Sequence, residues 1–166
     1  MTKREAVFTK DLPNKKLSVV RTFDASLEKV WKAWTDSEIL DQWWAPKPYR
    51  AVTKKMDFRE GGFWLYAMTG PEGDKQWCIE NFKTIVLLQL ITNAVSFCDE
   101  EGVTNKDFPT MHWKKAFSEG GDTATVSVEI TFDKEADMET IIGMGFQEGF
   151  NAGMVNLDEY LNTLSK

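Results

Sequence analysis

The sequence holds a single histidine, His112, and two cysteines, Cys78 and Cys98. Two thiols build no disulfide framework, and any histidine-dependent mechanism would have to use that one ring. The opening stretch "MTKREAVFTKDLPNKK" lacks the apolar centre of a signal peptide, and no apolar run approaches the roughly 18 residues of a membrane span. Reduced thiols, a cytoplasmic setting and no membrane partner are the corresponding expectations. Positive charge is also short: 20 Lys and Arg stand against 26 Asp and Glu, a net charge of −6. A surface of that sign repels phosphate backbones and argues against a nucleic-acid partner. There is no glycine-rich phosphate loop of the required spacing, no nucleophile elbow and no HExxH; "REGG" and "EGGD" read as turns. No cofactor is expected.

What the chain has in quantity is aromatic bulk. Seven Trp and eleven Phe in 166 residues, 42% of them apolar, predict one ordinary domain with a packed core. Residues 1–16 are polar and read as an N-terminal arm, and residues 17–166 as a single domain. "LSVVRTF" is a strand by its β-branched content. Ser26 is placed to cap a helix whose Val30, Trp31 and Trp34 share a face. A second short helix starts at Asp36 or Ser37 and ends at "APKP". From residue 49 the period changes to two, and six strands follow. "TATVSVEITF" alternates cleanly, the mark of a strand with one wet face. A long amphipathic helix from about residue 137 closes the chain, with Ile142, Phe146, Phe150, Met154, Leu157, Leu161 and Leu164 as its stripe.

That last helix carries Gly143, Gly145, Gly149 and Gly153, each costing about 1 kcal/mol in a helix interior. Two explanations stand. Glycine lets the helix press closely on the sheet, or it removes side chains from an interior hollow walled by aromatics. Four glycines opposite so many large rings favour the hollow.

"RTFDASLEKVWKAWTDSEILDQWWAPKPY", "MDFREGGFWLYAMTGPEG", "SFCDEEG" and "TATVSVEITF" leading to "GFQEGFNAGMVNLDEYL" occur in an order that resembles the homologues of the activator of the ninety-kilodalton heat-shock protein ATPase. That family belongs to the START-like, or SRPBCC, superfamily. The likeness spans roughly residues 17 to 163. It implies an α+β helix-grip fold: a curved antiparallel sheet of about seven strands around a C-terminal helix, two short helices after the first strand, and a deep cavity. The superfamily includes lipid carriers, hormone receptors, allergen-like binders and polyketide cyclases, so fold does not fix function. Relatives carry a Trp after a glycine in the last helix, where this chain has "GF" and "GM". They turn between the fourth and fifth strands on a proline pair, where this chain has "LLQ". They often carry Arg where Phe63 and Leu65 stand. Those two fall on the face opposite Trp64, Tyr66 and Met68. Either they form a homodimer surface on the outer sheet or the N-terminal arm covers them.

The expected cavity residues are Trp43, Trp44, Trp64, Tyr66, Met68, Trp77, Asn93, Phe97, Trp113, Lys115, Phe146, Phe150 and Met154. Hairpin counting across residues 120–121 pairs Trp113 with Val128, which turns Met111, Trp113 and Lys115 inward and His112 outward. Lys115 would then bind an acidic ligand atom, form a Schiff base or snorkel to the rim. Asn93 would orient a polar ligand atom or bond to backbone. A row of Cys78, Cys98 and His112 across three strands has no fourth ligand and no tetrahedral geometry, so no metal is expected. No catalytic residue stands out. The expected function is non-catalytic binding of a small hydrophobic or aromatic molecule in the cavity. The alternatives are a cyclase- or hydrolase-type enzyme using Lys115, Asn93 or Tyr66, and a stress-related chaperone-associated module.

Overall fold

The computed structural model describes residues 5–164. Its elements are β1 (Val7–Asp11), β2 (Lys16–Phe23), α1 (Leu27–Thr35), α2 (Ser37–Trp43), β3 (Arg50–Asp57), β4 (Phe63–Thr69), β5 (Lys75–Val86), β6 (Leu90–Cys98), β7 (Met111–Gly120), β8 (Thr123–Thr131), α3 (Glu135–Gly143) and α4 (Phe146–Leu164). The strands form one antiparallel sheet in the order β1-β2-β8-β7-β6-β5-β4-β3, eight strands rather than about seven. The extra strand comes from the segment read as an arm: Val7 to Asp11 pair back on β2 through a tight turn. Residues 1–4 and 165–166, within the expected arm and domain, lie outside the described residues.

Local chemistry fixes the two short helices. Ser26 Oγ accepts from the Lys29 N–H at 3.3 Å, and Asp36 Oδ1 accepts from the Glu38 N–H at 2.9 Å. Asp36 also ends α1, its own N–H reaching the Lys32 carbonyl at 2.9 Å, so one residue closes one helix and opens the next. Buried Val30, Trp31, Ala33 and Trp34 form the inner face of α1. Trp34 meets Phe23, Trp43, Trp44, Phe117 and Phe150 edge-on, the arrangement ring quadrupoles prefer.

The C-terminal helix is two helices, not one. At Met144 the N–H bonds back to the Thr140 and Ile141 carbonyls, and Gly145 follows at φ +86°. This is a left-handed helix stop, which an L side chain enters at a cost. Ile142 therefore belongs to α3, and the stripe on α4 runs from Phe146 through the buried Phe150, Met154, Leu157 and Leu161, while Leu164 is exposed.

The glycines divide by role. A Cβ on Gly153 would lie 3.1 Å from the Trp44 carbonyl oxygen and 3.2 Å from that of Trp43, both backbone at the end of α2. One turn on, Asn156 Nδ2 donates to the Ala45 carbonyl at 3.0 Å and the Trp43 carbonyl at 3.4 Å. These carbonyls have no partner within their own helix, and α4 supplies one. Gly149 has only Pro46 Cγ nearby, at 3.8 Å, and Gly143 has nothing within 4 Å. Close approach thus accounts for Gly153, helix termination for Gly145, and open space for the other two.

On the outer face, Leu65 and Ile79 are buried with Cys98, and Phe63 and Trp77 pack against them. The cover is not the N-terminal arm, whose strand pairs at the opposite end of the sheet. The segment after β6 folds back, with the Asn105 N–H on the Phe97 carbonyl at 2.8 Å and Gly102 seated over Ile79 and Leu65. Leu65 is thereby buried within the chain, while Phe63 stays partly exposed.

Gly153→Ala is expected to destabilise the protein by about 1–3 kcal/mol, because the new methyl meets backbone that cannot yield. Gly149→Ala, in ordinary space, is expected to stabilise by roughly 0.4–1 kcal/mol. Denaturant unfolding of the two variants reads the contrast; equal effects would refute the clamp.

Candidate functional site

Between the inner face of β4–β7 and the α3–α4 junction lies a cavity of about 240 Å³. Its wall is largely apolar: Trp44, Tyr66, Met68, Cys78, Val95, Phe97, Met111, Trp113, Ile141, Phe146 and Phe150, with Pro46, Met144, Gly145, Gly149 and Ser96 completing it. The glycines at 145 and 149 leave room where other residues would project, and half-exposed Met144 marks the solvent side.

Sheet register decides which expected residues reach the cavity. Trp44, Tyr66, Met68, Phe97, Trp113, Phe146 and Phe150 line it. Trp43, Trp64 and Met154 are buried in the surrounding core and do not: Trp43 Nε1 donates to the Ala33 carbonyl at 2.9 Å, and Trp64 Nε1 donates to Thr53 Oγ1 at 3.0 Å. Trp77 is displaced altogether. β5 pairs with β4 so that Tyr66 faces Cys78 and Ala67 faces Trp77, which sends the indole to the outer face. Cys78, not Trp77, is the inward residue.

β7 and β8 pair Trp113 with Ile130 and Lys115 with Val128, two residues away from the hairpin count. A shift of two preserves parity, so Met111, Trp113 and Lys115 do point inward. His112 is outward, with Nε2 3.2 Å from Asp133 Oδ1. Cys78 faces the interior and Cys98 the outer face, so the row with His112 never forms. Among the described residues no group of His, Cys, Asp and Glu is arranged to hold a metal ion.

Lys115 and Asn93 are buried behind the lining, joined by a residue that sequence reasoning missed, Glu80. Lys115 Nζ lies 3.5 Å from Glu80 Oε1, and Asn93 Nδ2 donates to the same oxygen at 3.0 Å. The ammonium also sits 5.7 Å from the Trp113 ring centre and 6.0 Å from that of Trp44. Burial raises the Glu80 pKa, and Lys115 and Asn93 oppose the rise. In the wall itself, Trp44 Nε1 donates to Tyr66 Oη at 2.9 Å. Burial pushes the Tyr66 phenol well above its ordinary value and the Cys78 thiol up to about 12, so both stay protonated near neutral pH.

The curved antiparallel sheet packed against a long C-terminal helix is the helix-grip architecture of START-like proteins. The chain belongs to the family described as "Activator of Hsp90 ATPase homolog 1-like protein", whose profile matches residues 24–162. A solution structure of an Arthrobacter aurescens protein superposes with a TM-score of 0.89 at 28% identity, covering 95% of this chain and 91% of that one. A Staphylococcus epidermidis protein gives 0.82 at 26% identity, over 95% and 94% of the two chains. A Mycobacterium smegmatis protein at 24% identity shares the fold, with a TM-score of 0.86 over 94% and 96%. Among curated proteins no match was found. No described helix is long and apolar enough to cross a membrane.

Glu80 supplies a pH test. Its native pKa lies above the ordinary value of 4.5, so the folded state holds the proton more tightly and stability falls as pH rises from about that value through the raised one. Lys115→Met removes the opposing charge and should push this window to higher pH, with a loss of roughly 3–5 kcal/mol once Glu80 is ionised and unpaired. Adding Glu80→Gln should flatten the profile. Melting temperature against pH checks this; parallel profiles for Lys115→Met and the double variant would contradict it.

Proposed function

We propose that this protein binds a small, mostly apolar or aromatic molecule in the cavity between the sheet and α4, and does not transform it. One observation carries the reading: an aromatic-walled, largely apolar cavity of about 240 Å³ lies against the hydrophobic core. Apolar cavities of this kind favour guests that remove apolar surface from water. An engineered cavity of about 150 Å³ takes benzene, which scales this one to a substituted ring or two fused rings. The groups in the wall fit a passive role, since Tyr66 and Cys78 are both held neutral and supply no nucleophile near pH 7.

A second reading, an enzyme of cyclase or hydrolase type, draws on the buried Glu80–Lys115 pair. It meets two obstacles. Neither residue lines the cavity, and an amine held against a carboxylate is a poor nucleophile. Loss of turnover in Lys115→Ala, on any substrate the wild type converts, would favour the enzyme.

The binding reading is tested with naphthalene. Saturation at 100 times Kd adds about 2.7 kcal/mol of stability, a readily measured rise in Tm, and should quench Trp fluorescence. Val95→Phe fills the cavity and should remove the response while leaving the far-ultraviolet spectrum unchanged. A panel of one- and two-ring aromatics that leaves Tm and fluorescence unmoved would sink the proposal, as would an undiminished response in Val95→Phe.

A further inference from the structure

Four sulfur-bearing side chains line the cavity: Met68, Cys78, Met111 and Met144. They differ sharply in access to solvent. Cys78 is 4% exposed and Met111 6%, Met68 is partly buried, and Met144 is 51% exposed. The local backbone explains the difference. Met144 ends α3, its N–H spent on the Thr140 and Ile141 carbonyls, and it stands between Gly143 and Gly145. Neither neighbour has a side chain to shield it, and a Cβ placed on Gly143 would meet nothing within 4 Å. Met144 is therefore a piece of the cavity wall and a piece of the surface at once. Met138 and Met154, in contrast, are closed inside the core.

A thioether changes from an apolar group to a polar one by taking up a single oxygen atom. A hydroperoxide supplies it. The sulfur lone pair attacks the outer oxygen, the O–O bond breaks and an S–O bond forms. The sulfur is oxidised by two electrons, and the peroxide is reduced to water or an alcohol. Exposure decides which thioether reacts first. The thiols compete poorly, because burial pushes Cys78 up to about 12 and Cys98 up to about 11 and leaves little thiolate. Resting on the binding function proposed above, we propose that Met144 is a site of reversible oxidation by hydroperoxides, and that its sulfoxide lowers the affinity of the cavity for apolar guests. The new oxygen is a strong acceptor and keeps water beside it. In a wall that also holds Ile141, Phe146 and Phe150, water held at the solvent side competes with an apolar guest. A sulfoxide that turns outward instead takes its side chain off the guest and leaves that apolar surface wet. Both arrangements weaken binding.

The experiment treats the full chain with limiting hydrogen peroxide. Peptide mass mapping should find one added oxygen on Met144 before any of the other described methionines. Naphthalene affinity, read by calorimetry, should fall about tenfold once Met144 is oxidised, and should return after treatment with methionine sulfoxide reductases. Met144→Leu keeps an apolar side chain and removes the sulfur. Whatever its own affinity, the same peroxide dose should leave that affinity unchanged. Met144→Gln, neutral and polar like the sulfoxide, should bind naphthalene more weakly than the wild type with no oxidant present. Earlier oxidation of Met68 or Met111 would overturn the assignment and leave the carrier reading standing. So would an unchanged affinity with Met144 fully oxidised, or an equal loss in treated Met144→Leu. Failure of the untreated protein to bind naphthalene would remove the carrier reading and this control with it, even if Met144 were the first to oxidise.

Discussion

Where α4 crosses the end of α2, backbone meets backbone. The carbonyls of Trp43, Trp44 and Ala45 project from a helix that has run out of N–H donors, and α4 answers with a missing side chain at Gly153 and an amide at Asn156. The rest of the interior depends on this crossing. It fixes the two indoles at the end of α2, one plugged into α1 through the Ala33 carbonyl and the other turned toward Tyr66. It also sets the height of α4 above the sheet. Arg21 of β2, buried and paired with Asp158, ties the same helix to the far side of the sheet. With both tethers made, the helix cannot settle onto β5 and β6, and the space left over is the cavity.

A cavity and a buried ion pair both oppose stability, and here they adjoin. Each void forfeits dispersion contacts, and each buried charge forfeits hydration. Glu80, Lys115 and Asn93 offset the second cost among themselves, with Lys115 also lying over two indole faces. Such groups would be simpler to build as Leu or Met. They sit behind Trp113, outside the lining of the cavity, so the wall itself stays largely apolar.

Much of this architecture was legible in the chain. Ser26 and Asp36 announced the short helices, and the clean alternation at residues 123–132 announced β8. The resemblance in motif order carried the helix-grip fold. Other features were hidden for specific reasons. In β5, Trp77 and Ile79 alternate with Cys78 and Phe82, so both faces are partly apolar and the period cannot say which is inward; only the pairing with β4 does. Trp77 was misplaced and Glu80 overlooked on that account. The stop at Gly145 was masked because Ile142 and Phe146 continue a helical stripe across it, although two glycines around Met144 were a usable signal. Leu65 read as exposed because the covering segment after β6 is polar and glycine-containing, and its contact there is made by a residue with no side chain.

The break at Gly145 divides the labour of the C-terminal region. α4 holds the tethers that keep the domain folded, through Gly153, Asn156 and Asp158, whereas α3 contributes Ile141 to the cavity wall and leads into Met144 at its solvent side. Heritable change in α3 and the Met144 junction therefore resculpts the doorway without touching the pillars. Such an arrangement lets one scaffold diversify its guests across lineages while its foundation stays unaltered.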